Sequence, residues 1–78
     1  MLNYIIEKES HGNAYAENGP YKGIGQLYYT YYDKYVGLTW EQCIGNYDIQ
    51  LQAMLAYIAS RYGTIQGAYN HKVSYGWY

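Results

Sequence analysis

The chain has 78 residues, a formal net charge of −1 and one cysteine, which bounds it to a single domain, residues 1–78, with no internal disulfide. Folding at this length buries only about 60% of the unfolded surface, and Cys43, His11 and His71 lie too scattered to supply a zinc staple. The near-neutral charge and the lack of any basic run argue against nucleic acid as a partner, and no stretch approaches the ~20 apolar residues of a membrane span.

In chain order, residues 2–10 read as a first helix. Leu2, Ile5, Ile6 and Glu9 recur on one face, Glu7 falls on another, and Gly12 is a plausible stop. Asn3 could cap a shorter version. Residues 11–22 are rich in turn formers, Gly12, Asn13, Asn18, Gly19 and Pro20. They predict an irregular loop, or at most a tiny two-stranded turn at Asn18-Gly19. Leu27, Tyr28, Tyr31, Tyr32 and Tyr35 keep a helical period, so a second helix is expected over 26–36, ending at Gly37.

Thr39-Trp40-Glu41-Gln42 fits a capping box and opens a short helix to about residue 44. Asn46 then caps the longest helix, about 47–62, with Leu51, Met54, Leu55, Ile58 and Tyr62 as its apolar face. Gly63 ends it. Thr64 caps a last helix over about 65–72, with Ile65, Ala68 and Tyr69 to one side. The aromatic tail Ser74–Tyr78 is expected to fold back as a lid. The fold class that results is mainly α, α+β at most.

Tyrosine is the dominant aromatic, 14 against two tryptophans and no phenylalanine. A domain this small cannot bury them all, and exposed rings stack on flat partners such as sugars. Met1–Tyr4 lacks the basic start and apolar run of a secretory signal. The expectation is an excised or phage-encoded domain, or one that reaches its target by another route.

Three segments carry chemistry. Glu9 ends an apolar helix face, where partial desolvation raises a carboxyl's pKa and suits it to general acid work; on spacing alone a solvated helix-end charge is the simpler reading. Gly23-Ile24-Gly25-Gln26 is a low-bulk turn carrying an amide, without the spacing of a dinucleotide loop. Ala68-Tyr69-Asn70 presents a phenol on an inward helix face, where a core tyrosine is the simpler reading. Cys43, beside Ile44 in a short helix, reads as a structural thiol, and His11 and His71 as loop and surface residues.

Taken together, Glu9-Ser10, Gly23-Ile24-Gly25-Gln26 and Ala68-Tyr69-Asn70 resemble the three motifs of lytic transglycosylases with the lysozyme-like fold. Glu9–Asn13 and the ending Gly76-Trp77-Tyr78 resemble compact cell-wall members related to aggregation-promoting and resuscitation-promoting factors, and the resemblance covers nearly the whole chain. It implies a small lysozyme-like domain acting at the cell wall on peptidoglycan strands, with no cofactor and no metal. Glu9 would be the single acid/base. Gln26 and Tyr69 would line the site, Ser10 and Asn70 would support them, and Gly23 and Gly25 would let the glycan approach. His71 departs from the pattern, since larger members continue Ala-Tyr-Asn with Ala-Gly. A two-carboxylate hydrolase on the same scaffold would need a second acid ~5–10 Å from the first, and Glu17 is the best candidate. A non-catalytic wall-binding module is the remaining alternative.

Overall fold

Five helices and a small three-stranded antiparallel sheet make up the computed structural model, which describes residues 1–78. Helix α1 spans Leu2–Ser10 and buries Ile5 and Ile6. It begins one residue after Met1 with no side-chain cap, so Asn3 lies inside it. It ends one residue sooner than Gly12 would have it: His11 takes the left-handed conformation at φ 54°, and its N–H closes on Glu7 O.

The segment read as a loop or two-stranded turn is a small sheet. Strand β1 (Glu17–Asn18) pairs with β2 (Tyr21–Lys22), and β2 pairs with β3 (Leu27–Tyr28). Gly19-Pro20 makes the first turn, with Gly19 at φ 62°, a left-handed value that a two-residue hairpin needs. The expected helix over 26–36 is therefore shorter. Gln26 has φ 49°, outside the helical region, Leu27 and Tyr28 belong to β3, and Tyr29 N–H donates to Pro20 O at 2.9 Å. Backbone pairing with β2 overrides a helical spacing that Leu27 and Tyr28 satisfy by chance.

Helix α2 (Thr30–Val36) follows and ends at Gly37. Helix α3 (Trp40–Cys43) carries the complete capping box of Thr39 and Gln42. Helix α4 (Tyr47–Tyr62) is capped by Asn46, whose Oδ1 accepts from Ile49 N–H. Helix α5 (Ile65–Tyr75) runs three residues further than expected and is capped by Thr64.

The core is formed by Ile5, Ile6, Ile24, Leu27, Tyr32, Trp40, Cys43, Ala53, Met54, Tyr57, Ile58 and Ala68. Helix α4 packs on α2 and α5, and α1 packs on α5. The buried face of α4 is turned relative to the expected one: Gln50, Ala53, Met54, Tyr57 and Ile58 point inward, whereas Leu55 is exposed. Gln50 accounts for the rotation. Its amide donates to Ala14 O (2.7 Å) and Cys43 O (2.8 Å), and its Oε1 accepts from Ile24 N–H (2.9 Å). A fully buried glutamine satisfied in this way fastens the segment before β1, the end of α3 and the β2–β3 loop to one helix.

The tail folds back along α4 and α5. Three consecutive main-chain oxygens each accept from a side chain: Gly76 O from Lys72 Nζ (3.1 Å), Trp77 O from His71 Nδ1 (2.9 Å) and Tyr78 O from Tyr57 OH (3.1 Å).

Candidate functional site

Glu9 stands in the last turn of α1, with its side chain only 17% exposed. Lys72 of α5, itself 11% exposed, brings Nζ to 3.4 Å from Glu9 Oε2. Burial pushes the Glu9 carboxyl above its ordinary range; the Lys72 ammonium and its hydrogen bond pull the other way without overcoming it. The neighbouring residue anchors this helix end. Ser10 is buried, and its hydroxyl donates to Ile24 O at 2.7 Å, tying α1 to the β2–β3 loop.

That loop, Gly23–Gln26, is held from several sides. A Cβ on Gly23 would collide with the Tyr32 hydroxyl and lie 2.6 Å from Gln50 Oε1. A Cβ on Gly25 would lie 2.6 Å from the Tyr78 hydroxyl and 3.1 Å from Met54 Sδ. The room beside both glycines is therefore filled by side chains of the protein itself. Gln26 folds its amide back, donating from Nε2 to Gly23 O at 3.0 Å. Tyr78 donates its hydroxyl to Gly25 O at 2.6 Å. Burial raises the Tyr78 phenol well above its ordinary value, and the charge of Glu9 adds to the shift, so the tail's last ring lies within electrostatic reach of the carboxylate.

The late motif is split. Ala68 is fully buried. The half-buried ring of Tyr69 meets Tyr4 edge-on, with centroids 5.3 Å apart, in the seam between α1 and α5. Asn70 is exposed, and its Oδ1 accepts from Gln66 Nε2 at 2.8 Å on the outer side of α5. Glu17 pairs with Lys22 at 2.8 Å, which holds its carboxyl below the usual range. Cys43 is fully buried, and burial pushes its thiol up. His11 contacts Glu7, His71 contacts the tail, and no three His, Cys, Asp or Glu side chains converge as metal ligands would.

A cleft of about 250 Å³ opens beside this cluster between β3, α2, α4 and the tail. Tyr21, Leu27, Tyr28 and Tyr31 form one side, and Tyr57, Arg61, Trp77 and Tyr78 the other, with Gln26 between them. Of the predicted site residues only Gln26 lines it; Glu9 does not. Its rings belong to a continuous series. Tyr31 stacks on Tyr57 at 5.6 Å, Tyr57 meets Tyr78 edge-on at 5.4 Å, and Tyr62 bridges to His71 at 5.2 Å. Burial pushes the Tyr57 hydroxyl up to about 12.

Sequence reasoning missed Lys72, Gln50, Arg61 and Tyr57. Lys72 follows Ala68 by one helical turn and so shares its inward side, and Gln50 is the polar member of the stripe Gln50-Ala53-Met54-Tyr57. Both signals were present. No protein-family model, curated protein or solved structure matches the chain.

Proposed function

We propose that this domain is a peptidoglycan lytic transglycosylase that cleaves the β-1,4 bond between N-acetylmuramic acid and N-acetylglucosamine, with Glu9 as its single acid/base. The observation that carries the reading is the setting of Glu9. It is a mostly buried carboxyl at a helix end, raised in pKa, anchored through Ser10 to a glycine loop and adjacent to an aromatic cleft of a kind suited to sugar rings.

In this mechanism protonated Glu9 gives its proton to the glycosidic oxygen as the C1–O bond breaks. The substrate's own N-acetyl oxygen stabilises the positive charge at C1. Glu9, now a carboxylate beside the Lys72 ammonium, takes the proton of the C6 hydroxyl, and that oxygen closes on C1 to give a 1,6-anhydro ring. No second carboxylate takes part, which is compatible with Glu17 being tied to Lys22. Gln26, which lines the cleft, meets the glycan there in this mechanism. Access to Gly25 requires the Tyr78 hydroxyl to move aside, because it fills that space.

The test is mass analysis of wall digests. Wild-type protein is expected to release muropeptides one water lighter than hydrolysis would give, and Glu9→Gln to release none while keeping its fold. Unchanged cleavage by that variant removes Glu9 from the mechanism, and products carrying the added water identify a hydrolase. One observation favours a second reading, a non-catalytic wall-binding module: Glu9 lies outside the lining of the cleft. Binding to walls without cleavage at any pH would decide for it.

A further inference from the structure

Arg61 is the only charged side chain in the cleft. It stands in the last turn of α4, and its guanidinium carbon lies 5.9, 5.8 and 5.7 Å from the ring centroids of Tyr57, Tyr62 and Trp77. The ion pairs of the molecule are Glu7–His11, Glu17–Lys22 and Glu9–Lys72, and Arg61 takes part in none. No Asp or Glu side chain lines the cleft. A guanidinium resting on aromatic faces keeps the N–H groups along its edge for a planar anion, and a carboxylate matches that fork in two-point fashion. The volume of about 250 Å³ is below the ~300–1,000 Å³ typical of sites for drug-sized ligands and suits one substituted ring.

We propose that this cleft is a subsite for a sugar ring bearing a carboxylate, with the ring against the tyrosines and the carboxylate on Arg61. The inference rests on the glycan-cleaving reading above and extends it. In a strand of alternating N-acetylglucosamine and N-acetylmuramic acid, only every second ring carries a lactyl group, with its carboxylate free on a peptide-free ring and the nearest carboxylate in the stem peptide otherwise. A cleft that accepts that ring alone fixes the register of the strand. It thereby decides which of the two alternating linkages is presented to Glu9. Arg61 is then a specificity-determining residue.

The experiment uses the full chain with Glu9→Gln, so that the glycan is bound and not cut, and follows the fluorescence of Trp77, half exposed in the cleft while Trp40 is buried. The probes are a peptide-free tetrasaccharide of the alternating strand with free lactyl carboxylates, its lactyl methylamide, and the same glycan with its lactyl groups extended by an L-Ala–D-Glu dipeptide. The free acid is expected to bind about tenfold or more tightly than the methylamide, the loss of one charge-assisted pair. Arg61→Met should erase that difference, and Arg61→Lys should restore part of it. Arg61-dependent binding of the dipeptide form alone places the recognised carboxylate in the stem peptide and still supports the subsite. Equal affinity for acid and amide with no Arg61 dependence in any probe, or binding of no probe, overturns it. Wall digestion by the wild type separates the two readings. Cleavage with no carboxylate preference removes the subsite alone; acid-dependent binding without cleavage by the wild type removes the transglycosylase reading alone.

Discussion

Burial and Lys72 act on Glu9 in opposite directions, and each can be varied separately. Replacing Lys72 by Met removes the ammonium that lowers the Glu9 pKa and leaves the desolvation in place. The carboxyl then holds its proton to higher pH, and the basic limb of the pH–rate profile for wall cleavage is expected to move upward. A second measurement does not need activity. The folded state binds the Glu9 proton more tightly than the unfolded chain, where the ordinary value is 4.5. The stability contributed by Glu9 therefore declines as pH rises from about 4.5 through the raised value. Glu9→Gln cannot titrate, so its Tm relative to wild type should increase across that window and level off above it. A flat difference would mean that Glu9 is solvated after all. Gly25→Ala tests the neighbouring contact. The new methyl would lie 2.6 Å from the Tyr78 hydroxyl, and the hydrogen bond to Gly25 O should be lost, with Trp77 emission shifting as the tail lifts.

At the scale of elements, caps were the most legible part of the sequence. Thr39 with Gln42, Asn46 and Thr64 each offer a side-chain oxygen to backbone N–H groups that a helix start leaves without partners, and each does so in the structure. Asn46→Ala is expected to cost about 1 kcal/mol, read as a lower urea midpoint with an unchanged m value. Two elements were read less well, for one physical reason: spacing reports which residues share a face, not what that face meets. Leu27 and Tyr28 fit a helix until β2 offers them backbone partners. Leu51 and Leu55 outrank Gln50 and Ala53 in hydrophobicity, yet Gln50 is drawn inward by the backbone groups it satisfies. The candidate site was legible in proportion to how local it is. Glu9, Ser10 and the glycine loop lie at one helix end and one turn, where the residues themselves announce the geometry. Arg61 and Tyr78 come to the site only through the packing of α4 and α5, which no local pattern encodes; Lys72 shares the inward side of Ala68, but its pairing with Glu9 is not a local signal.

The whole molecule holds together without a disulfide, and its compactness is ordinary. The radius of gyration is 11.3 Å, against about 11.5 Å for a compact chain of this length. In place of a covalent staple it uses Gln50 and the interlocked tyrosines. Gln50→Leu keeps the volume and removes the hydrogen bonds. Ala14 O and Cys43 O retain their bonds from Gly45 and Asn46 N–H, so the cost falls on the Ile24 N–H, which is left buried and unpaired. That should cost about 2–3 kcal/mol, a large share of the roughly 4–12 kcal/mol expected for a domain of this size, and lower Tm by about 10 °C or more.

The hydrogen bond from Lys72 to Glu9 spans 63 positions of the chain, and that from Tyr78 to Gly25 spans 53. Closing a loop of that length costs roughly 4 kcal/mol in chain entropy, which must be met before the contacts form. A nine-residue helix such as α1 is marginal by itself, and until α5 docks Glu9 is a solvated acid. Its altered proton affinity arrives only when the last helix docks. The pKa of this one carboxyl is thus a clock for folding: a stalled, truncated or clipped chain carries the acid but not the buried setting that raises it.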